Sequence, residues 1–102
     1  MARRVIWTTP MVEDLDNAAD YIDRDSPRYA SAFVREVRAA ALTPRKLAYR
    51  GPMIPELNDP TIRELFVRNH RLTYKVEERR VVLLGLMHGA RDFARAWKGR
   101  RQ

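Results

Sequence analysis

The hydrophobic periodicity of this chain changes once, and the change falls at a proline-rich segment. Before it, apolar residues recur every three to four positions: Val12, Leu15, Ala19 and Ile22, then Ala30, Phe33, Val34, Val37 and Ala41. After it the interval is two, with Leu72, Tyr74 and Val76 alternating against Arg71, Thr73 and Lys75. A helix gathers the first set on one face, and a strand does the same for the second. The segment between them, "AYRGPMIPELNDPT" at 48–61, holds three prolines and a glycine. Proline restricts the backbone at each step, so this is a loop of fixed turns and not a flexible linker. Such a chain folds as two amphipathic helices followed by a sheet.

Local signals place the boundaries. "RVIWT" (4–8) is short, β-branched and aromatic and reads as a first strand. Thr9 followed by Pro10 gives a helix cap and a proline at the first helical position, with Glu13 and Asp14 near the positive end of the dipole. The first helix is expected over 10–24. Ser26 and Pro27 repeat the start signal, and the second helix runs to about Thr43, or a turn past Pro44. So short a link makes the two helices antiparallel neighbours. Strands are expected at 62–67, 70–77 and 81–87, with "EERR" (77–80) as a turn. "VVLLGLM" is apolar on both faces, which marks a strand inside the sheet. The expected fold is α+β in the order β-α-α-β-β-β. A helical hairpin covers one face of a small, mostly antiparallel sheet, and a short basic C-terminal helix follows. One domain spans 1–102. The other sheet face, carrying Arg71, Thr73 and Lys75, is expected to be open.

Composition removes several kinds of chemistry. With no cysteine in 102 residues, neither disulfides nor thiolate metal sites are available. His70 and His88 lack partners at metal-ligand spacing, so no metal or other cofactor is expected. The four glycines form no phosphate loop. The only serines are Ser26 and Ser31, and a Ser-His-Asp triad has little support because Ser26 serves as a cap. "MARRVIWTTP" lacks the apolar stretch of a secretory signal, and no segment approaches the roughly 20 apolar residues of a membrane span, so the expected location is cytoplasmic. The net charge is +7, and 17 of the 20 basic residues are arginine, which suits carboxylate and phosphate partners or simply a solubilising surface. Residues 91–102 alone contribute five cations against Asp92.

Two sets of residues stand out. Glu56 on the loop, Arg71 on the sheet and His88 at a strand end have the chemistry for RNA cleavage: one group takes the 2′-hydroxyl proton, one protonates the leaving oxygen, and arginine stabilises the phosphorane. Each also has a purely structural reading. Glu56 fits a surface ion pair, Arg71 a cross-strand pair with Glu64, and His88 a hydrogen bond where the strand ends at Gly89. Phe93 and Trp97 lie four apart in the basic tail, where little chain is left to cover them, and fit a partner's helix or strand.

Nearly the whole chain resembles a known family. "ADYI…SPRYASAFV", "PELNDPTIREL", "HRLTYKVE" and the closing "HGARD" follow in an order and spacing similar to the RelE/ParE superfamily of type II toxin-antitoxin toxins, most like its ParE branch. The resemblance implies a toxin held inactive by an antitoxin (ParD-like in this branch) that wraps helical and extended pieces over the hairpin and sheet. Antitoxin contacts would then fall on Phe93, Trp97, Arg71 and Lys75. ParE-like members poison DNA gyrase, and their tail matters to toxicity, which implicates Arg91, Arg95, Trp97, Lys98, Arg100 and Arg101. RelE-like members cut mRNA on the ribosome, for which Glu56, Arg71 and His88 fall near family catalytic positions. No tyrosine follows Tyr74, however, and the tail continues past the place where such nucleases carry aromatic catalytic residues. By resemblance the ParE reading, a protein-binding inhibitor with no active site, comes first.

Overall fold

A computed structural model describes residues 2–89 of the chain. The elements are β1 (Arg4–Trp7), α1 (Thr9–Asp23), α2 (Pro27–Leu42), a single 3-10 turn (Thr43–Arg45), β2 (Ile62–Val67), β3 (His70–Val76) and β4 (Arg80–His88). The sheet order is β1-β4-β3-β2, with β1 parallel to β4 and the other two pairs antiparallel. The α+β order expected from periodicity is therefore present, with β4 inside the sheet as its two apolar faces required. The expected C-terminal helix lies outside the described residues.

The helix starts differ in one respect from the sequence reading. Ser26 caps α2 as expected, its hydroxyl accepting from Tyr29 N at 3.1 Å. For α1 the cap is Thr8, not Thr9: its hydroxyl accepts from Met11 N at 3.3 Å and donates to Leu83 O at 2.6 Å. The second bond decides the matter, because it ties the helix start to the neighbouring strand. Glu13 and Asp14 consequently fall beyond the first turn, where the helix dipole has faded. Asp14 instead accepts a hydrogen bond from the backbone N–H of Leu86 at 2.8 Å. β1 pairs with β4 only as far as Leu83, so this carboxylate satisfies a strand donor that β1 does not reach.

The hairpin buries Met11, Leu15, Phe33, Val37 and Ala41 against Leu72, Tyr74, Val76, Val81, Leu83 and Leu86. A register shift between Thr73 and Tyr74 leaves Leu84 as an extra residue in β4. This bulge explains how Leu83 and Leu86, three apart, both reach the helical side, while Met87 falls on the other.

That other face is not open, contrary to the sequence reading. The alternation of β3 is as expected, but Arg71 and Thr73 are 9% and 2% exposed, and only Lys75 is exposed. The proline-rich loop folds back beneath the sheet, where Ile54 and Leu57 pack with Ile62 and Met87. Tyr74 anchors its start by donating to Ala48 O at 2.8 Å and accepting from Gly51 N at 3.2 Å. A Cβ at Gly51 would stand 2.4 Å from Glu64 O, so only glycine lets the loop approach β2 this closely.

Candidate functional site

Beneath the sheet, Arg71 is the centre of an ionic cluster. Its Nε donates to Glu64 Oε1 at 2.7 Å, and its two terminal nitrogens face the Glu56 carboxylate at 3.4 and 3.5 Å. Burial opposes the charge on Arg71, and the hydrogen bonds and charges of Glu64 and Glu56 outweigh it, pushing the guanidinium up from its ordinary value. Glu64 comes from the adjacent strand, in register with Thr73, and Glu56 from the proline-rich loop. The cross-strand reading of Arg71 thus holds, and the loop adds a second carboxylate. Thr73 Oγ1, buried beside this cluster, has no hydrogen-bond partner among the described residues.

On the opposite side of the sheet, His70 and His88 are direct cross-strand partners. Their rings meet edge to face with centroids 5.3 Å apart, and Phe33 of α2 lies 4.9 Å from His70 on its other side. Burial, and secondarily the neighbouring His88, lower the pKa of His70. The two histidines close one end of a cleft of about 710 Å³ between the hairpin and the sheet, lined also by Asp14, Asn17, Tyr21 and Arg68. Arg68 sits at φ 54° in the two-residue turn between β2 and β3. There it forms a bidentate pair with Glu36 and stacks on Tyr29, with its guanidinium carbon 4.2 Å from the ring centroid.

The structure therefore brings together Glu56 and Arg71 and separates both from His88. Arg71 is opposite Met87, beneath the sheet, whereas His88 shares the helical face with His70 and Leu86. The sequence treated the two histidines as isolated, but strand pairing makes them neighbours. Asp14, which the sequence marks only for the helix dipole, and His70, which it marks only as lacking metal-ligand partners, both line the cleft. Hairpin register counted from Val76 and Val81 would put His70 opposite Met87, and the bulge at Leu84 is what brings His88 opposite it. Among the described residues no three His, Asp or Glu side chains are grouped as metal ligands, and no helix is long and apolar enough to cross a membrane. The expected tail residues Arg91, Phe93, Arg95, Trp97, Lys98, Arg100 and Arg101 lie outside the described residues.

Comparison with known proteins agrees with this architecture. In structure the chain is similar to a protein of the chromosomal ParDE toxin-antitoxin system of Pseudomonas aeruginosa, with a TM-score of 0.70 and 20% identity, covering 85% of this chain and 96% of that one. It is also similar to a chain of the RelBE2 toxin-antitoxin complex of Mycobacterium tuberculosis, with a TM-score of 0.50 and 18% identity, covering 86% and 99%. At these identities the likeness establishes the fold. Among curated protein sequences no relative matches. A family model for the ParE toxin of the type II toxin-antitoxin system parDE matches residues 5–93, which take in the described helices and nearly all of the described sheet. On that match, the chain belongs to the ParE toxin family of type II toxin-antitoxin systems.

Proposed function

We propose that this toxin acts by inhibiting DNA gyrase, as a protein-binding poison and not as a nuclease, and that a ParD-like antitoxin neutralises it. The observation that carries this reading is the division of the nuclease candidates between the two sheet faces. General acid-base cleavage needs its proton-transfer groups within hydrogen-bond reach of one phosphodiester. His88 lies on the helical face, and Arg71 lies beneath the sheet, clamped by Glu64 and Glu56. A guanidinium held by two carboxylates has its charge already satisfied and is poorly placed to stabilise a phosphorane.

On this reading target contact falls to the basic tail: Arg91, Arg95, Trp97, Lys98, Arg100 and Arg101. The antitoxin covers Phe93 and Trp97 together with the sheet residues Lys75, which is exposed, and Arg71, which keeps 9% of its area exposed. The experiment incubates the toxin with gyrase, ATP and supercoiled plasmid and denatures the protein before electrophoresis. Linear DNA is expected to accumulate, and to disappear on adding antitoxin. Deleting 94–102 should abolish the effect while antitoxin binding largely survives. Intact plasmid with a toxin that still arrests growth would refute the gyrase reading and direct attention to ribosomal mRNA, with Glu56, Arg71 and His88 as the next mutants.

A further inference from the structure

Three dibasic pairs, Arg3-Arg4, Arg45-Lys46 and Arg79-Arg80, are separated by about forty and about thirty residues in the sequence. The fold brings all three to one end of the molecule. Arg3 N donates to Arg45 O at 2.9 Å, Arg4 N donates to Arg79 O at 3.1 Å, and Arg4 is the direct partner of Arg80 in the parallel β1-β4 ladder. The 3-10 turn, the start of β1 and the turn before β4 therefore lie side by side as one row. This pole is at the far end of β4 from His88 and from the cleft.

The charges at the pole are mostly uncompensated. Arg80 pairs with Glu77, and Arg3 Nε donates to Glu77 O at 2.8 Å. Arg4, Arg45, Lys46 and Arg79 are exposed, and none forms an ion pair with a described carboxylate. Away from the pole, Arg68 pairs with Glu36 and Arg71 with Glu64. These four cations are mounted on backbone that is hydrogen-bonded across three segments, which fixes where the side chains start.

We propose that this pole is a docking surface for the phosphate backbone of duplex DNA, without regard to base sequence. The three segments span roughly 10 Å, taking about 4.8 Å between neighbouring paired chains. Over the same axial length B-DNA carries about six phosphates. The segments hold no aromatic side chain on which an unpaired base would stack, which disfavours a single strand. The choice of DNA over double-stranded RNA rests on the gyrase reading, and the charge complementarity stands without it.

The test measures binding of the full-length toxin to a fluorescent 20-base-pair DNA duplex of arbitrary sequence, as a function of salt and with no gyrase present. Four phosphate contacts give a slope of log K against log salt of about −3.6, a roughly 10²-fold loss of affinity between 50 and 200 mM salt. Arg4→Gln/Arg79→Gln should reduce this to about −1.8, and Arg45→Gln/Lys46→Gln should act alike, with circular dichroism confirming that both variants fold. Arg28→Gln/Arg35→Gln, on the exposed surface of α2, removes the same net charge and should leave the slope near that of the parent. Equal effects from the α2 pair and the pole pairs, or no effect from either pole pair, would overturn the proposal. Tighter binding of a double-stranded RNA of equal length would overturn the choice of DNA. Because the assay contains no gyrase, its failure is distinct from failure of the gyrase reading.

Discussion

Tyr74→Phe isolates the anchor that holds the proline-rich loop beneath the sheet. The ring is fully buried and stays in place, so no side-chain cavity opens. What is lost is one hydroxyl, with its donation to Ala48 O at 2.8 Å and its acceptance from Gly51 N at 3.2 Å. Ala48 is 3% exposed and Gly51 is buried, so water does not readily replace the missing partner. Two net hydrogen bonds at about 1 kcal/mol each give a destabilisation of about 2 kcal/mol. At a urea slope of roughly 1.5 kcal/mol per molar, the midpoint should fall by about 1.3 M with the slope unchanged. The pH dependence supplies a second readout. Burial pushes the Tyr74 phenol up from 10.0, so above that pH the unfolded chain loses this proton before the folded one. Stability should therefore fall as pH rises from about 10 towards the folded value, and Tyr74→Phe should flatten that fall. A midpoint shift equivalent to less than 0.5 kcal/mol (on the order of a surface substitution), with the same alkaline profile as the parent, would refute the anchoring role.

Two further perturbations test the two faces of the sheet. Glu64→Ala should cost about 2–3 kcal/mol, because it removes the closest carboxylate from a largely buried Arg71 and leaves the longer contact to Glu56 in its place. In a double-mutant cycle measured by urea unfolding, Glu64→Ala and Arg71→Ala should show a coupling of at least about 1 kcal/mol, and additive effects would exclude the pair as a structural clasp. On the helical side, the lowered His70 pKa means that the unfolded chain binds this proton first as pH falls below 6.5. Stability should accordingly drop from pH 7 to pH 5, and by less in His70→Gln; identical profiles would show that His70 does not carry the dependence.

The helices and strands were legible because each depends on a local pattern. The expected β2, 62–67, matches Ile62–Val67, and β3 differs by one residue at its end. The misplaced cap at Thr9 shows where locality fails. Thr8 and Thr9 are equivalent candidates until Leu83 O, seventy-five residues away, selects Thr8. The bulge at Leu84 was invisible for a related reason, since "VVLLGLM" is apolar throughout and carries no parity to break.

The sequence by itself determined the period of every element, their order and the position of the loop, because steric and solvation preferences act within a few residues. Tertiary structure alone decided which side chains meet. It folded the loop under the sheet so that Arg71 is enclosed by Glu56 and Glu64, and it put His88 on the opposite face. It also placed three dibasic pairs at one pole through a parallel β1-β4 pairing that no local signal records. The physical reason is that strand partnership and sheet face depend on how distant segments share one core, and a charge acquires its partner, or remains without one, only after that core has formed.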